Sequence, residues 1–237
     1  MRASTLALGL LFSSALAAPA IAGDTVKTLD EPSTLKAHEA SYSARYNGIP
    51  IRSVRTFVRD GDDYVLTNKA QNFLGSISEE ERFTIGDDGK LLPISYRFER
   101  SILGTKRSEK TDFHRDRNIA VNTYKGETVE LPLQDEPYAP LSYQEQMRRD
   151  LQAGKENLHY EVVYRNKIRD YQYEIVRNEK LDTPIGELDT TVLKRVREDD
   201  ERETYLWTAD ALGYLPVKLV QTEDGETYEM MIESYSD

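Results

Sequence analysis

Residues 190–234 read TTVLKRVREDDERETYLWTADALGYLPVKLVQTEDGETYEMMIES, and this stretch decides the fold. It divides into four segments rich in β-branched and aromatic residues: 190–197, 203–208, 215–222 and 227–234. Corners separate them at Glu198-Asp199-Asp200, Ala211-Leu212-Gly213 and Glu223-Asp224-Gly225. Short strands joined by Asp- and Gly-bearing corners are the pattern of an antiparallel meander. Alternation sets Tyr205 and Trp207 on one face, with Thr204, Leu206 and Thr208 on the other. Val217 and Leu219 likewise oppose Lys218 and Val220. Apolar residues fall on both faces, so the sheet is expected to be curved and covered.

Upstream the same period of two continues. Segments 158–165 and 169–177 form a hairpin through Asn166-Lys167-Ile168, with Tyr160, Val162 and Tyr164 on one face and Tyr171, Tyr173 and Ile175 on one face. Thr183-Pro184-Ile185-Gly186 supplies a further turn, using the fixed φ of proline and the freedom of glycine. In the first half, segments 40–46 and 51–59 meet at Asn47-Gly48, and Gly61-Asp62-Asp63 leads into 64–70. Segments 73–78 and 82–85 read as two weak strands split by Glu79-Glu80-Glu81. Segment 91–100 alternates cleanly through Ile94, Tyr96 and Phe98. Segments 106–113, 119–124 and 127–133 complete this half.

One helix interrupts the strands, at about residues 142–153. Ser142-Tyr143-Gln144-Glu145 fits a capping box, and Gly154 suits the left-handed position after the last turn. Its apolar stripe of Met147 and Leu151, with Tyr143 at the start, is thin, and Arg148, Arg149 and Asp150 are expected to face outward. Such a helix depends on packing against the sheet. About a dozen antiparallel strands in one sheet are expected to curl into a barrel or half-barrel, with the helix as lid or plug. The fold class is therefore mainly β, a long antiparallel sheet with one covering helix.

Residues 1–22 do not belong to that fold. Arg2 precedes the apolar run Leu6–Leu16 and the small-residue stretch ending Ala20-Ile21-Ala22, the pattern of a secretory signal peptide cut before Gly23. Residues 23–39 are polar and aperiodic, a flexible lead-in that holds His38, and 40–237 read as one β-rich domain. The chain has no cysteine, which excludes lipid attachment at the new N-terminus, disulfides and thiolate metal sites. The expected location is the periplasm, with no transmembrane segment in the mature chain. Of 31 basic residues, loss of Arg2 leaves 30 against 42 acidic ones, and the formal charge moves from −11 to −12. Acidity of that size disfavours nucleic acid as a partner.

Several motifs together resemble one family of exported bacterial proteins, domain of unknown function 3108. They are Tyr42-Ser43-Ala44-Arg45-Tyr46-Asn47-Gly48-Ile49-Pro50-Ile51, the Met147–Gly154 helix, Tyr171-Gln172-Tyr173-Glu174, Leu181-Asp182-Thr183-Pro184-Ile185-Gly186, Leu206-Trp207-Thr208-Ala209-Asp210 and Leu215-Pro216-Val217. The resemblance runs from about Ala40 to the end, and implies a periplasmic β-rich protein without assigned chemistry. A long curved sheet with a helix across its mouth is also similar in architecture to the periplasmic lipoprotein carriers, whose half-barrels hold acyl chains.

No catalytic constellation emerges. Asp112, His114 and Asp116 would share a face on a continuous strand as a metal set does, but Arg115 and Arg117 among them read as a solvated corner. Asp60-Gly61-Asp62-Asp63 and Glu223-Asp224-Gly225 lack the remaining ligands of a calcium loop. His38 and His159 read as solvated, and no Gly-x-Ser-x-Gly elbow is present. No cofactor or metal is expected. The aromatic residues remain: among 15 Tyr and a single Trp, the candidate ligand-binding set is Trp207, Tyr205, Tyr171 and Tyr173. The leading expectation is non-enzymatic binding of a lipid or acyl chain on the concave face. An interaction module for another envelope protein or a polysaccharide is the alternative, and a carboxylate-dependent hydrolase of envelope polymer a third.

Overall fold

A computed structural model of the chain describes residues 36–46, 49–197 and 202–237. The expected signal peptide, most of the expected lead-in, the Asn47-Gly48 corner and the Glu198-Asp199-Asp200 corner lie outside the described residues.

Among the described residues fourteen strands form a single antiparallel sheet, and one α-helix interrupts them in sequence. The first half comprises β1 (His38–Tyr46), β2 (Ile49–Asp60), β3 (Asp63–Asn72), β4 (Gly75–Ile85), β5 (Leu91–Ile102), β6 (Thr105–His114), β7 (Ile119–Tyr124) and β8 (Glu127–Pro132). Helix α1 (Ser142–Gln152) follows, then β9 (Leu158–Tyr164), β10 (Lys167–Thr183), β11 (Gly186–Val196), β12 (Arg202–Ala209), β13 (Leu215–Glu223) and β14 (Glu226–Ser236). Spatial order runs from β8 back to β1, across to β14, and back again to β9. The first and last hairpin systems thus join where β1 pairs with β14, for example Ala44 with Met230. The C-terminal meander lies where its sequence places it.

The sheet curls until its two edges, β8 and β9, nearly meet. This seam is closed piecemeal: Tyr138 donates its amide to Glu161 O at 2.8 Å and accepts from the Val163 amide at 2.9 Å. On the same side the amides of Arg165 and Asn166 donate to Glu109 Oε1 at 2.6 Å and Asn122 Oδ1 at 2.7 Å. Edge backbone groups that would otherwise invite foreign strands are thereby satisfied.

Cross-strand register explains the core. Leu193, Leu206, Leu219 and Met230 are successive partners across β11–β14 and share the inner face. Phe57, Tyr64 and Phe83 stack at centroid distances of 5.5 to 6.0 Å. Helix α1 lies within the barrel near one end: Ser142 through Met147, with Asp150 and Leu151, are all buried. It fills that end and is held by charged partners from the wall as well as by its thin apolar stripe.

Four local expectations are corrected. The acidic run does not split a strand, because β4 is continuous and Glu79 and Glu81 take the inward phase of Ile77 and Phe83, paired with interior donors. The capping box does not form. Ser142 Oγ turns back to Ala139, Glu145 to Arg55 and Arg148, and the Leu141 and Ser142 amides donate to Glu81 Oε2 at 2.7 and 3.0 Å. Asp150 faces inward and accepts from Tyr160 Oη at 3.0 Å. His38 is buried at the start of β1 against Phe57 and Tyr235, where burial, then nearby Arg148, holds its imidazolium pKa below the usual value.

Candidate functional site

The ten described hairpin turns alternate between the two ends of the barrel, and α1 lies at one of them. Inward from it, toward the turns at Asn72–Gly75 and Glu223–Glu226, a crevice remains. Ile51, Ser53 and Arg55 of β2 lie beside Asn68 and Ala70 of β3, which lie beside Glu79 and Ile77 of β4. The facing wall is Leu206, Leu219, Met230 and Tyr228, and Met147, Tyr143 and Gln144 of α1 close the inner end. The cavity is about 80 Å³, predominantly apolar and partly open to solvent. Tyr42 spans its side, donating to Pro216 O at 2.9 Å, and burial pushes the phenol up to about 12.

At its inner end the crevice meets a polar layer. Arg55 donates to Glu145 Oε1 at 2.6 Å, Gln144 Oε1 at 3.1 Å and Asn68 Oδ1 at 3.3 Å. Arg148 donates to Glu145 Oε2 at 2.8 Å and to the carbonyls of Gly213 and Leu212. Burial opposes the charge of Glu145, but the two guanidinium groups outweigh it and hold its pKa at about 2. Glu79 accepts from Tyr96 Oη at 2.9 Å and Asn68 Nδ2 at 3.3 Å, and burial raises its pKa. Glu81, buried at the α1 N-terminus, is pushed up to about 7 by burial, against the pull of the helix amides. Glu109, at the seam, is raised for the same first reason.

The four aromatic candidates do not come together. Tyr171 and Tyr173 are fully buried beside the plug: the Tyr143 ring meets Tyr171 edge-on at 5.0 Å, and the Tyr143 and Tyr173 hydroxyls are 3.2 Å apart. Arg195 covers Tyr171 at 3.8 Å. Trp207 pairs with Val192 and Lys218 on the face opposite Leu206, outside this interior. It belongs to a second apolar cluster with Ala209, Leu215 and Ile232, against which Leu181 and Leu188 of the long β10–β11 hairpin pack. Arg177 and Lys218 flank its ring, and its indole N–H donates to Glu179. Tyr205 lies half-buried beside it, with Lys194 over its ring at 5.5 Å. None of the four lines the crevice.

The crevice residues carry one local signal, the inward phase shared by Ile77, Glu79, Glu81 and Phe83. Nothing local joins Ala70, Met147 and Met230, which meet only through closure. Of the metal candidates, Asp112 is engaged by Arg97 and Lys110, and β6 ends at His114 before Asp116. Among the described residues no three acidic or histidine side chains converge as a metal set, and no helix is long and apolar enough to cross a membrane.

A nearly closed antiparallel barrel, plugged at one end and creviced at the other, defines the class: a β-barrel-like protein with an internal helix. Residues 41–233 match the family model described as protein of unknown function (DUF3108), and the chain belongs to that family. It is similar in fold to a β-barrel-like protein of domain of unknown function DUF1849 from Brucella abortus, with a TM-score of 0.56 and 10% identity over 84% of this chain and 97% of that one. A putative exported protein with a YmcC-like fold from Bacteroides fragilis aligns at a TM-score of 0.34 and 11% identity, over 86% of this chain and 97% of that one. No curated protein matches the sequence.

Proposed function

We propose that the protein is a non-enzymatic binding protein of the bacterial periplasm that takes the end of an acyl chain into the crevice beside α1. The observation that carries this reading is the crevice itself, apolar along its walls and partly open to solvent. Its volume, about 80 Å³, suits the end of a chain and not an enclosed lipid. Met147 and Met230 line it, and unbranched thioether side chains adapt to a guest by changing rotamer. The polar layer of Arg55, Gln144 and Glu79 sets the depth at which an apolar guest stops.

The use made of the buried acids supports a binding role over a catalytic one. Glu79, Glu81 and Glu109 each accept hydrogen bonds that hold the wall, the helix or the seam. Export follows from the signal peptide of residues 1–22.

The test is native mass spectrometry with solvent extraction on protein purified from its own host without detergent. Wild type is expected to carry a stoichiometric acyl-containing ligand, and Ala70→Phe, which fills the crevice, to be empty. An empty wild-type protein that crosslinks in cells to a single partner would replace chain binding with an interaction module.

A further inference from the structure

Phe73 and Leu103 are 80% and 76% exposed, the two most exposed large apolar side chains described. They sit at the tips of neighbouring hairpins, β3–β4 and β5–β6, at the open end of the barrel. The tips are bound to one another: the Leu103 amide donates to Leu74 O at 3.0 Å. A Cβ on Gly75 would stand 2.0 Å from Ser101 O, so only glycine permits this approach. Two apolar side chains are thus held rigidly in water, at a cost that folding alone does not explain.

The hairpin ends beside them are basic. Residues 43–54, 68–78 and 100–108, the ends of three consecutive hairpins, contain Arg45, Arg52, Lys69, Arg100, Lys106 and Arg107 and no acid. That is a basic arc beside Phe73 and Leu103, whereas across the same open end the β13–β14 turn carries Glu223, Asp224 and Glu226. The β2–β3 and β4–β5 turns at the opposite end carry Asp60, Asp62, Asp63, Asp87 and Asp88 against Lys90, and Arg82 pairs with Asp60 and Asp63. Lys69 and Lys106 are exposed and make no ion pair among the described residues. Ile51, Ala70 and Ile77 of the crevice lie on the same strand ends.

We infer that the open end of the barrel docks on an anionic lipid surface, with Phe73 and Leu103 entering the headgroup layer and the basic arc facing the lipid charges. Apolar side chains flanked by an arc of Lys and Arg match such a surface in both components. Docking stands apart from chain binding, because it needs only the tips and the arc.

Co-sedimentation of the mature chain with phosphatidylcholine vesicles, with and without phosphatidylglycerol, tests it. Binding is expected on the anionic vesicles and to fall with added salt. Phe73→Ser with Leu103→Ser should weaken it at least roughly tenfold, and Lys69→Glu with Lys106→Glu by about tenfold on anionic vesicles only. Both variants alter exposed side chains and should keep the wild-type circular dichroism and melting midpoint. Ala70→Phe should bind vesicles as wild type does while losing its chain, which separates docking from the crevice. Absence of binding, or equal binding to neutral vesicles, overturns the inference. So does a wild-type dimer in solution that the tip variant dissolves, for the tips would then join two copies.

Discussion

At the end where α1 enters, buried Glu145 is answered by Arg55 and half-buried Arg148, and buried Glu81 by the first helix amides, whereas at the far end Phe73 and Leu103 stand in water beside basic side chains. The plugged end breaks the rule that charges stay outside, and the open end breaks the rule that large apolar groups stay inside. Charge goes inward where a partner of opposite sign is already built in. Apolar groups go outward where the backbone holds them, and no contact within the fold accounts for them. The plugged end therefore serves stability, and the open end serves recognition.

Substitutions that separate stability from recognition test that contrast. Arg55→Ala should have the largest effect, about 3–5 kcal/mol in urea unfolding, because it leaves buried Glu145 without one of its two cations. A loss below about 1 kcal/mol would mean that the network does not hold the helix.

Next comes pH. Folded Glu81 keeps its proton to about pH 7, while in the unfolded chain it releases it near the ordinary value of 4.5. The folded state then binds more protons between these values, and stability falls as pH rises through the window, by about 3 kcal/mol in all. Glu81→Gln should flatten that slope in thermal melts between pH 5 and pH 8. Glu145 runs the other way: its depressed pKa contributes stability above pH 4.5 that is lost as pH falls toward 2.

Gly75→Ala should cost about 1–3 kcal/mol, since the methyl meets the Ser101 carbonyl and pushes the two hairpins apart. Differential scanning calorimetry reads it, and an unchanged melting midpoint would show that the tips are not rigidly joined. Phe73→Ser and Leu103→Ser should be smallest, each within about 0.5 kcal/mol of wild type. A large loss of stability in either would place these side chains in the core and remove them from recognition.

Much of this barrel is legible before folding. The Glu223-Asp224-Gly225 and Gly61-Asp62-Asp63 corners, and alternation such as Tyr171-Gln172-Tyr173, are local, and the strands they imply lie where expected. The crevice was not legible, because Ala70, Met147 and Met230 come from three distant segments. Trp207 and Tyr205 were placed together correctly on one face, but a strand read alone does not say which face turns inward. Glu79 and Glu81 looked like a break in a strand because acid was read as solvent-seeking, and their partners Tyr96 and the α1 amides lie elsewhere in the chain.

By itself the sequence determined the family, the antiparallel order of the strands and the position of the helix. Each follows from residues within a few positions of one another, where side-chain period and turn conformation act. Only the tertiary structure decided that the helix lies inside, that five carboxyl groups among the described residues are buried, that one end stays open and that Phe73 and Leu103 share it. Those outcomes depend on how a fourteen-stranded sheet closes on itself. Closure sets which face becomes the interior and which distant charges meet there, and no local pattern encodes it.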